Sequence, residues 1–511
     1  MVSGIHGAGK LDQKMIKLLL QSGFSIAAAL LTYYAVSGYG AALTSDSVGY
    51  VIAARSILAG TGLPLVFHTP FYPMMLVLAS YISTVDPAAI ASWLNIVLLV
   101  GVVCMVIQIL YLADIRFDVY VIIGLTAVLL FSTPLAYISR YALSELPFIA
   151  LVLLFLLLLS RFQKQPTFYN LGFLAVIAGM ASMTRYIGIV LIPLGMISIW
   201  RSTGVMSLRR RLLYLGVFAV CGSAPLALWL LRNLFMYNSM AGERTPSTIS
   251  ILDNIERTFR VIGNGFLPRY RFHDLTWLAP LAGGALSIAP LIAATIASKL
   301  VKSVLPLNLM LFFYLHTGAL ILVSSAVAID PINDRLLAPS AIALGMLLLM
   351  GISALRSLKT GKYTSRGLTV AIVLFLILWI GPSGIEVVAS AARGSEVGFH
   401  GFSHKRWRDD PLIRFLNTHI TDLPSVIFVN EPAALYFHTT MFESRNDFVV
   451  LDVTQLDDSI LLEKYSSQKK AFIVFEGYPN NYQELFKKGA FEPFVFCREE
   501  SFTTGRFMET K

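Results

Sequence analysis

Residues 88–112 read AAIASWLNIVLLVGVVCMVIQILYL, 25 residues without a charged side chain. Coiled as a helix at about 1.5 Å per residue, this stretch is about 37 Å long and crosses a hydrocarbon layer about 30 Å thick. Similar segments lie on both sides of it, at 15–36, 119–134, 145–160, 169–184, 186–200, 212–234, 277–297, 304–328, 336–355 and 367–388. With the opening stretch they predict about 11 transmembrane helices, an α-helical polytopic membrane protein. The first apolar run is too long for the h-region of a cleaved signal peptide, so it is read as a span.

Composition agrees. Of the 511 residues 56% are hydrophobic and 14% charged, against roughly 25% charged in an average soluble protein, and the mean hydropathy is +0.70. An ordinary cytosolic enzyme is excluded. Lys+Arg 40 against Asp+Glu 30 leaves a net charge of +10. In a membrane protein such an excess sets orientation, and no nucleic-acid partner is expected. Cys104, Cys221 and Cys497 are too few and too scattered for a disulfide framework or a metal cluster.

The charges divide the chain into two domains. Residues 389–511 hold 14 Lys/Arg and 17 Asp/Glu, whereas the rest hold 26 and 13. This predicts a membrane domain over 1–390 and a small α/β domain over 391–511. In the latter, strand-like runs at 425–429, 448–453, 471–475 and 493–497 alternate with helix-like stretches near 432–437, 458–466 and 480–488, a pattern that favours a mainly parallel sheet. No glycine-rich phosphate loop occurs there.

Orientation follows the basic residues. Lys10, Lys14 and Lys17 precede the first span, and Arg161/Lys164, Arg201 with Arg209–Arg211, Lys299/Lys302 and Arg356/Lys359/Lys362/Arg366 cluster between later ones. All lie on the cytoplasmic side if Pro70–Ser83 does not cross, being a half-inserted or surface helix with prolines near its start. The N-terminus is then cytoplasmic and the C-terminal domain external. Segments 37–87 and 235–276 become long external loops. Every basic residue on the external side of the membrane domain is arginine: Arg55, Arg140, Arg185, Arg232, Arg244, Arg257, Arg260, Arg269, Arg271 and Arg335. A guanidinium suits forked binding of phosphate, and a lone one at a span end equally suits anchoring among headgroups.

After the first span comes Thr44-Ser45-Asp46-Ser47-Val48-Gly49-Tyr50, then Ala53-Ala54-Arg55 and Leu58-Ala59-Gly60-Thr61-Gly62. Phe67-His68-Thr69-Pro70-Phe71-Tyr72-Pro73 follows, an aromatic and proline-rich entry to an apolar segment. An acidic residue close to the membrane surface thus opens an amphipathic helix that glycines close. On residue chemistry alone Asp46 is either a helix cap or a reactive carboxylate.

The order Asp-Ser-x-x-Tyr, Leu-x-Gly-x-Gly and Pro-Phe-Tyr-Pro resembles the first external loop of GT-C superfamily glycosyltransferases. The branch it is most similar to holds protein O-mannosyltransferases and lipid A aminoarabinose transferases. Matching pieces follow in order: Ser139-Arg140 with Ser144-Glu145, Met183-Thr184-Arg185-Tyr186, Trp229 with Arg232-Asn233, and Asn333-Asp334-Arg335 with Pro339. The resemblance covers roughly 1–390, and its spans up to about residue 235 match the superfamily's conserved module. It implies a multi-pass enzyme of the inner or plasma membrane. Such an enzyme moves a sugar from a polyprenyl-phosphate donor to a glycan, lipid or protein acceptor at the external face, with inversion.

In that scheme Asp46 takes or orients the acceptor proton. Arg185, Arg140 and Arg335 face the donor phosphate, joined by His68, which stands where that branch typically has a phosphate-meeting lysine. Asp86 is far from Asp46 in sequence, so the branch's acidic pair is incomplete. Tyr50, Tyr72, Glu145, Arg232, Asn233, Glu243, Arg244 and Asp334 are candidates for the cavity and its covering loop. No metal site is evident, and no cofactor is expected, although Glu145, Glu243 and Asp334 leave a divalent ion open. Expected partners are the lipid-linked donor, the acceptor and membrane lipids. A transporter or flippase is the alternative for a many-span chain with buried charge, but no inverted repeat or matched pair of broken helices supports it. A non-catalytic membrane scaffold is the third.

Overall fold

In the computed structural model the described residues are 3–63, 68–115, 117–202, 207–242, 244–266, 277–301, 303–357, 362–439, 449–452, 465, 468–475, 496–502 and 505–510. The chain divides into two compact units, residues 1–41 with 53–396, and residues 42–52 with 397–511.

The first unit is helical. Its elements in chain order are α1 (Ser3–Val36), α2 (Ser45–Leu58), α3 (Phe71–Ser83), α4 (Pro87–Leu112), α5 (Val119–Leu129), α6 (Thr133–Arg140), α7 (Glu145–Lys164) and α8 (Phe168–Thr184). A 3-10 turn (Tyr186–Val190) leads to α9 (Leu191–Arg201), α10 (Leu208–Tyr237), α11 (Ile251–Phe266), α12 (Leu278–Val301), α13 (Leu305–Ala326), α14 (Asp334–Ser357) and α15 (Lys362–Val397). The opening residues of α2 group with the second unit.

Among the described residues, seven helices are long and apolar enough to cross a membrane: α1, α4, α7, α10, α12, α13 and α14. The pair α5–α6, bent by 43°, makes an eighth. The expected spans at 169–184 and 186–200 form the shorter apolar helix α8 and the 3-10 turn with α9, and 367–388 falls within α15. The chain is a multi-pass membrane protein. Its outward faces carry exposed Leu30, Val97, Phe173, Val220 and Leu228, side chains that lipid tolerates and water does not. Segment 70–83 forms α3, whose 13 residues reach only about 20 Å, short of a crossing.

Spans α7 and α14 are the most enclosed. Along α7 the run Leu-Pro-Phe-Ile-Ala-Leu-Val-Leu-Leu-Phe-Leu is buried on nearly every face, which a helix surrounded by other helices requires. Pro147 sits in its first turn, where no amide is needed, and Arg161 and Lys164 close its last turn. Both helices begin at the same end of the unit, where Glu145 on one meets Arg335 on the other.

The second unit holds α16 (Lys405–Arg408), α17 (Pro411–Thr418), α18 (Pro432–His438) and a five-stranded sheet. The strands β1 (Val426–Val429), β2 (Val449–Asp452), β3 (Lys470–Phe475), β4 (Phe496–Phe502) and β5 (Gly505–Thr510) lie in the order β2-β1-β3-β5-β4. β1 pairs in parallel with β2 and β3, while β5 runs antiparallel to both β3 and β4. The expected mainly parallel sheet is therefore mixed. Its first three strands match the sequence reading, the fourth runs past the expected end at Cys497 to Phe502, and β5 lies beyond the expected strands. The strands buried on every residue, β1 and β3, are the central apolar ones. The anticipated helices near 458–466 and 480–488 lie outside the described residues, apart from Tyr465.

Residues 42–52 join this unit through a backbone bond from Phe402 N–H to the Leu43 carbonyl (2.8 Å). Gly401, at φ +115°, lies so close that a Cβ there would sit 2.2 Å from the Leu43 oxygen, so only glycine allows the clasp. Beside it the Trp407 indole stacks on His438 and meets Phe475 edge-on. Burial pushes the His438 imidazole down to about 4, the Arg408 charge adds to the shift, and a hydrogen bond to the Phe402 backbone opposes it. Because the folded value lies below the ordinary 6.5, protons favour the unfolded state. Stability of this unit is full above pH 6.5 and falls by roughly 3 kcal/mol as pH drops toward 4. Chemical unfolding of the full chain, followed by tryptophan fluorescence across that range, should show this slope, and His438→Phe should flatten it. An unchanged slope in that variant would contradict the assignment.

Candidate active site

Four polar residues meet at the starts of α7 and α14. Glu145 opens α7 and is 1% exposed, with its carboxylate at the positive end of the helix. Its Oε1 lies 2.6 Å from Arg185 Nη1 and 3.2 Å from Arg335 Nε. Among the described residues neither carboxylate oxygen receives an aligned hydrogen bond, so charge holds the group in place. Arg335 also pairs with Asp330.

Local folding places each member. Arg185 stands in extended conformation between α8 and the 3-10 turn, where the chain changes direction. Its Nη1 donates to Ser144 Oγ (3.1 Å). The turn folds back because Gly188 lies against the last turn of α8, where a Cβ would come 2.4 Å from the Ala181 oxygen. Asn333 caps α14 by accepting the Leu336 N–H (3.1 Å), which sets Arg335 in the first helical turn. The chain leading to Glu145 is tied down by Asn95 of α4, whose Nδ2 donates to the carbonyls of Ser139 and Tyr141 (3.1 and 2.7 Å).

Two guanidiniums share one buried carboxylate, which leaves about one excess positive charge before Asp330 is counted. Asp330 is 62% exposed and so is largely screened by solvent. Arg185 and Arg335 are 21% and 12% exposed, dry enough for their guanidinium charge to act strongly on an incoming anion. The arrangement offers fixed, paired donors to an oxyanion such as a phosphate.

The other sequence candidates are placed as follows. Arg140 is buried and points at α15, donating to Ser390 Oγ and the Val387 carbonyl (3.0 Å each). Arg232 lies over the Trp229 and Tyr237 rings and donates to Asn233 Oδ1 (2.9 Å) and the Leu63 carbonyl (3.0 Å). Asn233 in turn donates to the Met240 carbonyl (3.1 Å). Arg244 donates to the Ala241 carbonyl (3.3 Å). His68 lies three residues before the start of α3, in which Tyr72 is fully buried. Asp334, the first residue of α14, lines a cleft with Ser132, Pro134, Val261 and Leu337. Glu243, Arg269 and Arg271 lie outside the described residues.

Asp46 and Tyr50 belong to the second unit. Asp46 is in the first turn of α2, but the capping role falls to Thr44, whose Oγ1 accepts the Ser47 N–H (3.3 Å). Gly60 and Gly62, both at positive φ, follow the end of α2 as the glycine pattern anticipated. Among the described residues no three His, Cys, Asp or Glu side chains gather as a metal ion would need.

Sequence reasoning missed Asp330, Ser144 as a partner of Arg185, and His316, which is buried under Phe148 and Phe312 with its Nδ1 2.8 Å from Ser340 Oγ. A signal existed for Asp330, a carboxylate only five residues before Arg335 at the same span end. His316 offered only a lone imidazole inside an apolar run.

No family model matches the chain, and no curated protein matches it in sequence. Solved structures match over nearly its whole length. ArnT from Cupriavidus metallidurans in the apo state is 13% identical, with a TM-score of 0.54 over 95% of this chain and 97% of that one. ArnT from the same organism bound to undecaprenyl phosphate gives 11% and 0.55 over the same shares. The archaeal oligosaccharyltransferase AglB from Archaeoglobus fulgidus, in complex with an inhibitory peptide and a dolichol-phosphate, is 13% identical with a TM-score of 0.52, over 96% of this chain and 74% of that one. The chain therefore has the fold of these proteins, the GT-C architecture that the sequence predicts.

Removing the shared carboxylate leaves two guanidiniums side by side in a dry setting. Glu145→Gln should lower the unfolding free energy by about 3–5 kcal/mol. Adding Arg335→Gln should restore part of that loss. Thermal unfolding of the purified variants checks both, and a double variant whose loss equals the sum of the single ones would contradict the coupling.

Proposed function

We propose that this protein is a GT-C membrane glycosyltransferase that transfers a sugar from a polyprenyl-phosphate donor to an acceptor hydroxyl at the external face, with inversion. The observation that carries the proposal is the Glu145-organised pair Arg185 and Arg335, set on a fold shared with one protein solved with undecaprenyl phosphate and another with dolichol-phosphate. The orientation of the chain, with the N-terminus cytoplasmic, is the one its basic residues favour.

The chemistry follows from where charge moves. Asp46 accepts the proton of the acceptor hydroxyl, and that oxygen attacks the anomeric carbon from the side opposite the phosphate. The bond between the anomeric carbon and the phosphate oxygen breaks, and the electron pair leaves with the polyprenyl phosphate. Negative charge therefore grows on phosphate oxygens, where the N–H groups of Arg185 and Arg335 stabilise it more in the transition state than in the bound donor. Two guanidiniums supply this charge without calling on a metal ion. His68, with one hydrogen bond to give when neutral and two when protonated, is proposed as a further phosphate contact. Tyr50, Tyr72, Arg232, Asn233, Arg244 and Asp334 are proposed as surroundings of the substrates.

The test offers a panel of polyprenyl-phosphate sugars to membranes bearing the native chain or Asp46→Asn, and follows donor loss and free polyprenyl phosphate by mass spectrometry. The native chain should turn over one of the donors. Asp46→Asn should lower kcat by about 10²–10⁴-fold with little change in KM, as loss of a general base does. Full turnover by Asp46→Asn would remove that residue from the mechanism. No turnover of any donor by the native chain, with uptake driven by an ion gradient, would favour a transporter.

A further inference from the structure

At the opposite end of the helical unit from Glu145, three connections converge: the α7–α8 turn, the end of α9 and the start of α10. They carry Arg161 and Lys164, Arg201, and Arg209, Arg210 and Arg211. Between Glu145 and Glu243 the sequence contains no Asp or Glu, so the four helices bring no carboxylate to this end.

Two of the cations are held in place. Arg210 donates through Nη2 to the Pro166 carbonyl (2.7 Å), and through Nε and Nη2 to the Tyr214 hydroxyl (3.1 and 2.8 Å). Arg211 is 9% exposed and its guanidinium lies over the Trp200 ring, 5.4 Å from the centroid. A cluster that only directs membrane insertion has no need of such order, because solvated lysines and arginines serve equally well. Here the Arg211 guanidinium is buried and that of Arg210, though exposed, is fixed by three hydrogen bonds; both lie among like charges, an arrangement that a bound anion stabilises. Around them Trp200, Phe168 and Tyr169 are exposed, aromatic side chains of the kind that sit at headgroup level.

We propose that this convergence is a binding site for the phosphate headgroup of an anionic phospholipid, with Arg210 and Arg211 as its fixed donors and Arg161, Lys164, Arg201 and Arg209 as the surrounding charge. A membrane source of the phosphate is favoured because the aromatic rim and the apolar flanks of α8 and α10, with Phe173, Leu212 and Leu213 exposed, offer a resting place for acyl chains. The site is separate from the Arg185–Arg335 pair and does not depend on the glycosyltransferase reading.

The test uses full-length protein stripped of lipid in neutral detergent and titrated with phosphatidylglycerol, phosphatidylcholine or inorganic phosphate. Bound lipid is counted by native mass spectrometry, and the thermal midpoint is measured alongside. Phosphatidylglycerol should bind and raise the midpoint, while the other two should not. Arg201 and Arg209 are exposed, so the variant R201Q/R209Q should fold as the native chain does. It should bind phosphatidylglycerol more weakly by about five-fold per charge removed. R210Q/R211Q should bind more weakly still. Equal binding of phosphatidylcholine, native affinity in R201Q/R209Q, or equal protection by inorganic phosphate would each overturn the proposal.

Discussion

One buried carboxylate holds one end of the helical unit together. Glu145 opens the most leucine-rich span, has no aligned hydrogen-bond donor among the described residues, and touches guanidiniums from two other parts of the chain. A lone carboxylate at that depth would be costly, and two arginines side by side would repel each other. Each is tolerable only because the other is there. The start of α7, the break after α8 and the start of α14 are thereby brought to one point. The supporting details, the Asn333 cap, the tight approach at Gly188 and the Asn95 bonds to Ser139 and Tyr141, all bear on the geometry of that contact.

Arg55, Arg140, Arg185, Arg232 and Arg335 are unlike one another once their surroundings are known. Arg55 makes a forked pair with Asp86, the residue that also caps α4. Arg232 is flattened against aromatic rings, and Arg140 secures α15. Each of these forks is engaged by groups of the protein itself. In Arg185 and Arg335, by contrast, a carboxylate orients two forks together, which is what recognition of a tetrahedral dianion needs.

Much of the fold was legible because it rests on local patterns. Apolar length alone located α4, α7, α10 and α13, and the non-crossing α3 was recognised by the sidedness of the basic clusters and by its prolines. The sheet was legible where strands are buried on both faces, as in Val426–Val429, and illegible at Gly505–Thr510, whose mixture of charged and apolar residues makes no apolar run. The site was half legible. Glu145, Arg185 and Arg335 could each be singled out by type and by place at a span end. Their meeting could not, since it joins residues far apart in the chain through packing that no local pattern encodes. Thr44 rather than Asp46 caps α2 for a finer reason, the register of the first helical turn, which composition does not reveal.

Equilibrium binding of a polyprenyl monophosphate to the purified protein tests most directly whether the pair organised by Glu145 is an anion site. The account predicts that R185Q/R335Q weakens binding by at least about 100-fold, since two charge-assisted contacts of roughly 1.5–3 kcal/mol each are lost. Arg55→Gln, which removes an arginine paired elsewhere, should bind as the native chain does. Unchanged affinity in R185Q/R335Q, or an equal loss in Arg55→Gln, would contradict it.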